Sequence, residues 1–315
     1  MFAGYAVVGF FIISGYLMTL VMHKTYGYTL QGSINFILNR MLRLLPMYWL
    51  AVILTIILIF WIGADAVKNY HLAMQIPSTF EGWLSNITML FWSWDLEISN
   101  RAIIYSSVAV VPRLVPPAWA LTTEIIFYAL ICFGVSKNLF RVWLWLAVSI
   151  CYYIATFFVG STWWLRYYPA LAASLPFCIG SLIYFLKEKY TPKLNPLLLF
   201  VLILLNAAYH PNYDLGAIVN MVLVALLILS IANGYKFPFI TSKIDKIIGD
   251  FSYPIYLLHW QVGLMVSYVV IGHPARHEIV VYFVSLAVIL VLSVLMIEVI
   301  DKPIQKVRTI IKSSS

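Results

Sequence analysis

Two carboxylates, one histidine and a pair of arginines stand out against a sequence that is mostly apolar. Glu124 closes the run Pro116-Pro117-Ala118-Trp119-Ala120-Leu121-Thr122-Thr123-Glu124, and Tyr128 follows at i+4, on the same face of a helix. A carboxylate held there orients a histidine or accepts a proton from an attacking hydroxyl. It serves equally well as a structural acid hydrogen-bonded to a neighbouring helix. Glu298, three residues before Asp301, reads as structural. His259 lies in Ser252-Tyr253-Pro254-Ile255-Tyr256-Leu257-Leu258-His259-Trp260 and is the only histidine well inside an apolar run. Its imidazole suits a general base, a ligand-orienting donor or a bond between helices. Arg40 and Arg43 share a helical face, so their guanidinium groups can grip one anion, with phosphate the best geometric match. The plainer reading is two anchors snorkelling to an interface.

Other chemistries find no footing. His259 has no histidine at i+4 and no acidic cluster near it, which speaks against a metal site. A Gly-x-Ser-x-Gly nucleophile elbow does not occur. Cys132, Cys151 and Cys178 lie in apolar segments without ligand or disulfide spacing and read as small core residues.

The elements that must carry these residues are membrane-spanning helices. Of 315 residues, 63% are hydrophobic and 10% charged, where a soluble domain carries about a quarter charged. Apolar runs of near-spanning length cover residues 4–22, 44–62, 119–135, 140–159, 171–186, 216–233, 252–271 and 279–300, with a shorter ninth at 196–209. Backbone groups in lipid must be satisfied within their own segment, so these runs are helices. The fold expected is therefore all-α, a polytopic bundle of about nine spans forming one domain over residues 1–315.

Charge orients the bundle. Alternating the loops gathers 15 of the 20 Lys and Arg residues on one side, among them Lys24, Arg40, Arg43, Lys137, Lys187, Lys246 and Lys312. The positive-inside rule makes that side cytoplasmic, C-terminus included. The net charge of +8 thus sets topology and advertises no nucleic-acid partner. Met1 then starts on the outer side, and one further helix before it would bring both ends into the cytoplasm. The longest polar connection, residues 63–117, carries Trp83, Trp92 and Trp94 beside Asp95, Glu97 and Arg101, which suits a segment at headgroup depth. Asn86-Ile87-Thr88 within it matches a glycosylation tripeptide.

The order of these pieces resembles a known family. Phe10-Phe11-Ile12-Ile13-Ser14-Gly15-Tyr16-Leu17 is similar to the second helix of the type-three acyltransferases, typified by O-antigen and exopolysaccharide O-acetylases. Arg40-x-x-Arg43 with Pro46 and Tyr48 resembles the motif of their first cytoplasmic loop. Trp119 to Glu124 with Phe127-Tyr128, Ser252-Tyr253 to Trp260, and Asp301-Lys302-Pro303 resemble three later elements.

The resemblance implies a ten-helix bundle in the bacterial inner membrane. It would take acyl-coenzyme A, acetyl-coenzyme A foremost, from the cytoplasm and acylate a hydroxyl of a cell-surface glycan or its lipid-linked precursor. Arg40, Arg43 and Tyr48 would contact the coenzyme, and Ser14 would line the path of its pantetheine arm. Glu124 and His259 would serve the reaction, and Trp119 and Tyr128 the acceptor. Membrane lipids are the remaining partner, and no metal is implied. The family's first helix, with its arginine and catalytic histidine, has no counterpart after Met1, and Val8 stands where an acidic residue is frequent. A transporter using Glu124 and His259 as a relay, and an inactive family member, are the alternative readings.

Overall fold

A computed structural model describes residues 2–91, 112–159, 163–192, 194–209, 212–237, 240–275 and 278–313. Among them there is no strand; the chain is helical, as the composition requires. In order the helices are α1 (Phe2–Val21, extended by a π turn Met22–Tyr26), α2 (Leu30–Ile62), α3 (Ala64–Tyr70), α4 (Phe80–Thr88), α5 (Ala118–Cys132) and α6 (Leu139–Phe158). They continue as α7 (Ala170–Leu186), α8 (Pro196–Tyr209), α9 (Tyr213–Ala232), α10 (Ser242–Ile271), α11 (Ile279–Met296, then a π turn Ile297–Asp301) and α12 (Lys302–Ser313). Six segments among the described residues are long and apolar enough to cross a membrane. Three shorter apolar helices, α5, α7 and α8, fill the remaining expected positions. The chain is a multi-pass membrane protein.

Two helices begin earlier than their apolar runs. Helix α2 starts at Leu30 rather than residue 44 and α10 at Ser242 rather than residue 252. Both extra stretches are polar, because they extend beyond the length that must be apolar, and hydropathy does not report helix there. Arg40 and Arg43 therefore sit inside a continuous 33-residue helix and not in a connecting loop. The Trp92 to Arg101 part of the aromatic connection lies outside the described residues. Asn86 is 1% exposed, and its side-chain amide donates to the carbonyls of Gly82 and Pro112 while its Oδ1 accepts from Leu114 N. A buried amide used in this way is a structural tie and no glycan acceptor. Cys178 is buried, but Cys151 is exposed on α6 and is no core residue.

The chain forms two compact units, and the division falls inside α2 and α5. The first comprises Met1–Ile37 and Thr123–Ile240. Its centre is the crossing of α1 on α7, where the two backbones come into direct contact. A Cβ built on Gly15 would lie 2.1 Å from the carbonyl oxygen of Phe177, and one on Gly180 would lie 2.0 Å from that of Ile12. Small residues at a helix crossing permit this approach, which packing in lipid favours because no hydrophobic effect drives helices together there. Thr19 Oγ1 donates to Ser181 Oγ at 2.8 Å just beyond the glycines. Phe177 stacks between Phe11, at 5.2 Å, and Phe127, at 4.3 Å. Helix α6 is tied to α7 by Trp145 Nε1 and Ser149 Oγ, both on Ser174 Oγ. Helix α9 closes the unit with an apolar seam of Val8, Ile12, Ile183, Met221, Val224 and Ile228.

The second unit comprises Leu38–Thr122 and Thr241–Ser314. Leu58, Ile59, Val67, Tyr70, Met74, Leu114 and Leu264 form its core. Polar ties between segments run through that core: Gln261 Nε2 donates to Thr55 Oγ1, and Thr55 reaches Leu114 O at 2.8 Å. Tyr253 Oη donates to Leu44 O at 2.8 Å and Tyr256 Oη to Pro117 O, so α10 is pinned by its tyrosines as well as by packing.

The crossing predicts a contrast between two glycines. Gly180→Val forces a side chain onto backbone and is expected to cost about 1–3 kcal/mol or more. A Cβ on Gly9 would meet only Val224 at an ordinary 3.5 Å. Gly9→Ala is thus expected to be neutral or to stabilise by up to about 1 kcal/mol through helix propensity. Thermal unfolding of both variants in detergent measures the difference.

Candidate functional site

The first unit brings together the residue singled out for chemistry and one that the motif had assigned a different task. Glu124, on the second turn of α5, is 4% exposed, as is Ser14 on α1. Ser14 Oγ donates to Glu124 Oε1 at 2.9 Å. A hydroxyl donating to a carboxylate oxygen is a directional contact, strongest when the carboxyl is ionised. It holds one carboxylate oxygen in place and turns the side chain to a defined rotamer. Ser14 therefore contacts the acid directly.

One turn further along α5 lies a buried aromatic group. Tyr128 is 2% exposed and stands edge-on to Phe36 at 5.7 Å, with Phe36 edge-on to Tyr26 at the same distance. Thr123, next to the acid, is 4% exposed. Water is excluded from such a setting, so a proton moved to or from Glu124 is felt at low dielectric, where electrostatic effects are large.

At the other end of α1 the π turn presents His23, whose Nε2 lies 3.0 Å from Ser136 O. Its ring stacks on Tyr184 at 4.9 Å and meets Tyr28 edge-on at 5.0 Å. Burial pushes the Tyr28 phenol up to about 12, against the smaller pull of its hydrogen bond with Ser136. Tyr28 is therefore a neutral phenol at physiological pH, and the cluster is a closing contact of the helix end.

The remaining candidate residues belong to the second unit. Arg40 and Arg43 lie on α2 three residues apart; Arg40 is half-buried and Arg43 exposed. Tyr48, further along the same helix, is fully buried, and its hydroxyl has no hydrogen-bond partner among the described residues. Trp119 is half-buried on the first turn of α5. His259 is exposed, and its Nδ1 lies 2.8 Å from the carbonyl oxygen of Tyr256. A carbonyl only accepts, so Nδ1 carries the hydrogen and the neutral ring keeps its lone pair on Nε2, the form a base requires.

Two polar features escape sequence reasoning. Arg166 makes a two-pronged contact with Asp214, 2.7 Å on each oxygen, and its guanidinium lies 4.1 Å over the Phe157 ring. The partners are 48 residues apart, and the only signal is that each borders a span end on the same side. His71, set in a polar connection, packs edge-on against Trp260 at 4.4 Å and accepts from Ala73 N through Nδ1. Its position outside the apolar runs hid it.

Comparison with known proteins gives one result: the family model described as an acyltransferase domain, type three, matches residues 1–298. No curated protein and no solved structure matches the chain.

The Ser14–Glu124 contact yields its own prediction. Hydrogen bonds to charged groups are worth about 1.5–3 kcal/mol, so Ser14→Ala is expected to destabilise by that amount. The same substitution in a Glu124→Gln background is expected to cost less by about 1 kcal/mol or more, because the charge is gone. A double-mutant cycle on unfolding in detergent reads the coupling; additive single effects would show that the two side chains do not work together.

Proposed function

Since the chain belongs to the type-three acyltransferase family, we propose that it moves an acyl group, acetyl foremost, from acyl-coenzyme A to a hydroxyl of a cell-surface glycan or its lipid-linked precursor. The observation that carries this reading is the buried Ser14–Glu124 pair. An intramembrane carboxylate is expensive, and a transferase has a use for one that is held in a fixed orientation in a dry site.

The reaction needs few parts. The acceptor oxygen attacks the thioester carbonyl as a base takes its proton, and a tetrahedral intermediate forms. That intermediate collapses with cleavage of the carbon–sulfur bond, and the coenzyme thiolate leaves and is protonated. Glu124 serves this sequence by accepting the proton or by orienting an imidazole that does. His259 by itself carries an Nε2 lone pair suited to a base. Trp119, half-buried, offers aromatic surface to an acceptor sugar.

Arg40 and Arg43 would hold the coenzyme's phosphates, with the exposed Arg43 meeting the anion from solvent and the half-buried Arg40 fixing it. The buried Tyr48 hydroxyl supplies a donor for an amide or carbonyl of the donor molecule. This arrangement goes with a bacterial inner-membrane setting in which the basic loops and the C-terminus are cytoplasmic, where acyl-coenzyme A is found.

Two measurements test the reading. Glu124→Gln is expected to abolish acyl transfer in native membranes while the purified variant keeps its fold; normal turnover in a stable variant would remove the acid from the reaction. Arg40→Ala or Arg43→Ala is expected to weaken acyl-coenzyme A binding by about one to two decades, the loss of a charge-assisted contact of about 1.5–3 kcal/mol. Calorimetry on the purified variants measures it, and unchanged affinity in both returns these arginines to interfacial anchors.

A further inference from the structure

The last helical run is too long for the membrane it crosses. From Ile279 to Ser313 it is continuous over 35 residues, about 52 Å at 1.5 Å per residue. The hydrocarbon it must cross is about 30 Å thick. About four turns are left over, and α12 makes up the last three of them.

Those turns keep one face apolar. Along α11 the exposed stripe runs through Val291, Leu295 and Val299, and it continues through Pro303, Val307 and Ile310. Steps of four residues would drift around a regular α-helix. The wider π turn at Ile297–Asp301 takes up much of that drift, so the stripe stays on one side. Val299 is 70% exposed and Ile310 68%.

Rotation of α12 is fixed within its own unit. Arg308 Nε donates to Asn39 Oδ1 at 3.0 Å, and Asn39 Nδ2 donates back to Arg308 O at 2.9 Å. Asp301 adds a carboxylate 3.7 Å from Arg308 Nη1. This clamp turns Arg308, with the half-buried Ile304 and Ile311, toward α2 and leaves Val307 and Ile310 facing away. The segment contains Lys302, Lys306, Arg308 and Lys312 and no acidic residue. Lys302 is engaged by Glu298 and Arg308 by the clamp, while Lys306 and Lys312 are exposed.

We propose that α12 is an interfacial helix that docks on anionic phospholipid headgroups of the leaflet at the C-terminal side. Val307 and Ile310 enter the acyl boundary, and Lys306 and Lys312 take the headgroup phosphates. The apolar stripe continues the surface that α11 presents to lipid, and the positive charge of the exposed Lys306 and Lys312 complements an anionic leaflet. The clamp joins this helix to α2 at Asn39, the residue before Arg40, so the lipid contact is mechanically linked to the helix that bears the arginine pair.

The test uses the whole chain in vesicles of phosphatidylcholine alone or mixed with phosphatidylglycerol. An environment-sensitive fluorophore is placed through Ile310→Cys, and in a second variant through Thr309→Cys, after Cys132→Ala, Cys151→Ala and Cys178→Ala. The label at position 310 is expected to be quenched by shallow lipid-borne quenchers when phosphatidylglycerol is present, and the label at 309 by aqueous iodide. Lys306→Gln and Lys312→Gln are each expected to lower the docked-to-undocked ratio about five-fold, and high salt is expected to act in the same direction. Equal quenching in both lipid mixtures overturns the headgroup assignment. Shielding of position 310 from lipid and aqueous quenchers alike means that protein covers the stripe, and this also overturns the proposal. If the cysteine-free chain does not fold, thermal unfolding of the native-cysteine protein decides. The midpoint gain from phosphatidylglycerol must shrink in the Lys306→Gln/Lys312→Gln variant, and an undiminished gain defeats the proposal.

Discussion

A hydroxyl, amide or carboxylate inside the hydrocarbon has no water to fall back on, so it gains most from a partner within the protein, and the buried Tyr48 hydroxyl stands out as an exception. Both units are organised by that requirement. In the first, Ser14 meets Glu124, Thr19 meets Ser181, Trp145 and Ser149 share Ser174, and Asn220 donates to the Tyr5 carbonyl. In the second, Gln261 and Thr55 form a relay to Leu114, and Asn86 joins α4 to the chain before α5. Apolar residues fill the space between these ties but do not choose the neighbours, since lipid is as apolar as they are.

The same requirement governs what a single sequence discloses. Apolar runs locate the spans because length and hydropathy are direct consequences of bilayer thickness, and Glu124 was visible as a charge within such a run. Its partner was not. Ser14 and Glu124 are 110 residues apart, and serine is common enough in membrane helices that neither composition nor spacing selects one. Arg166 and Asp214 illustrate the same limit, because two charges at span ends pair only once the helices are packed. The early starts of α2 and α10 were hidden for a different reason: beyond the hydrocarbon, helix and polar loop have the same hydropathy. Asn86 shows the reverse failure, where a legible tripeptide misled because burial does not appear in a motif.

The family assignment and the geometry reinforce each other at different levels. Membership over residues 1–298 gives the reaction class. The structure adds that the acid is buried and oriented by a hydroxyl. It also separates the arginine pair into an exposed and a half-buried member, which equal spacing in the sequence had left equivalent.

The backbone contact of α1 with α7 constrains how the first unit can move. With Gly15 seated on the Phe177 carbonyl and Gly180 on that of Ile12, neither helix can slide along the other without steric collision. The two travel as a single strut. Helix α1 also reaches α5, where Ser14 donates to Glu124. The carboxylate oxygen that Ser14 holds is therefore referenced to that strut, and a displacement of α1 carries α7 with it.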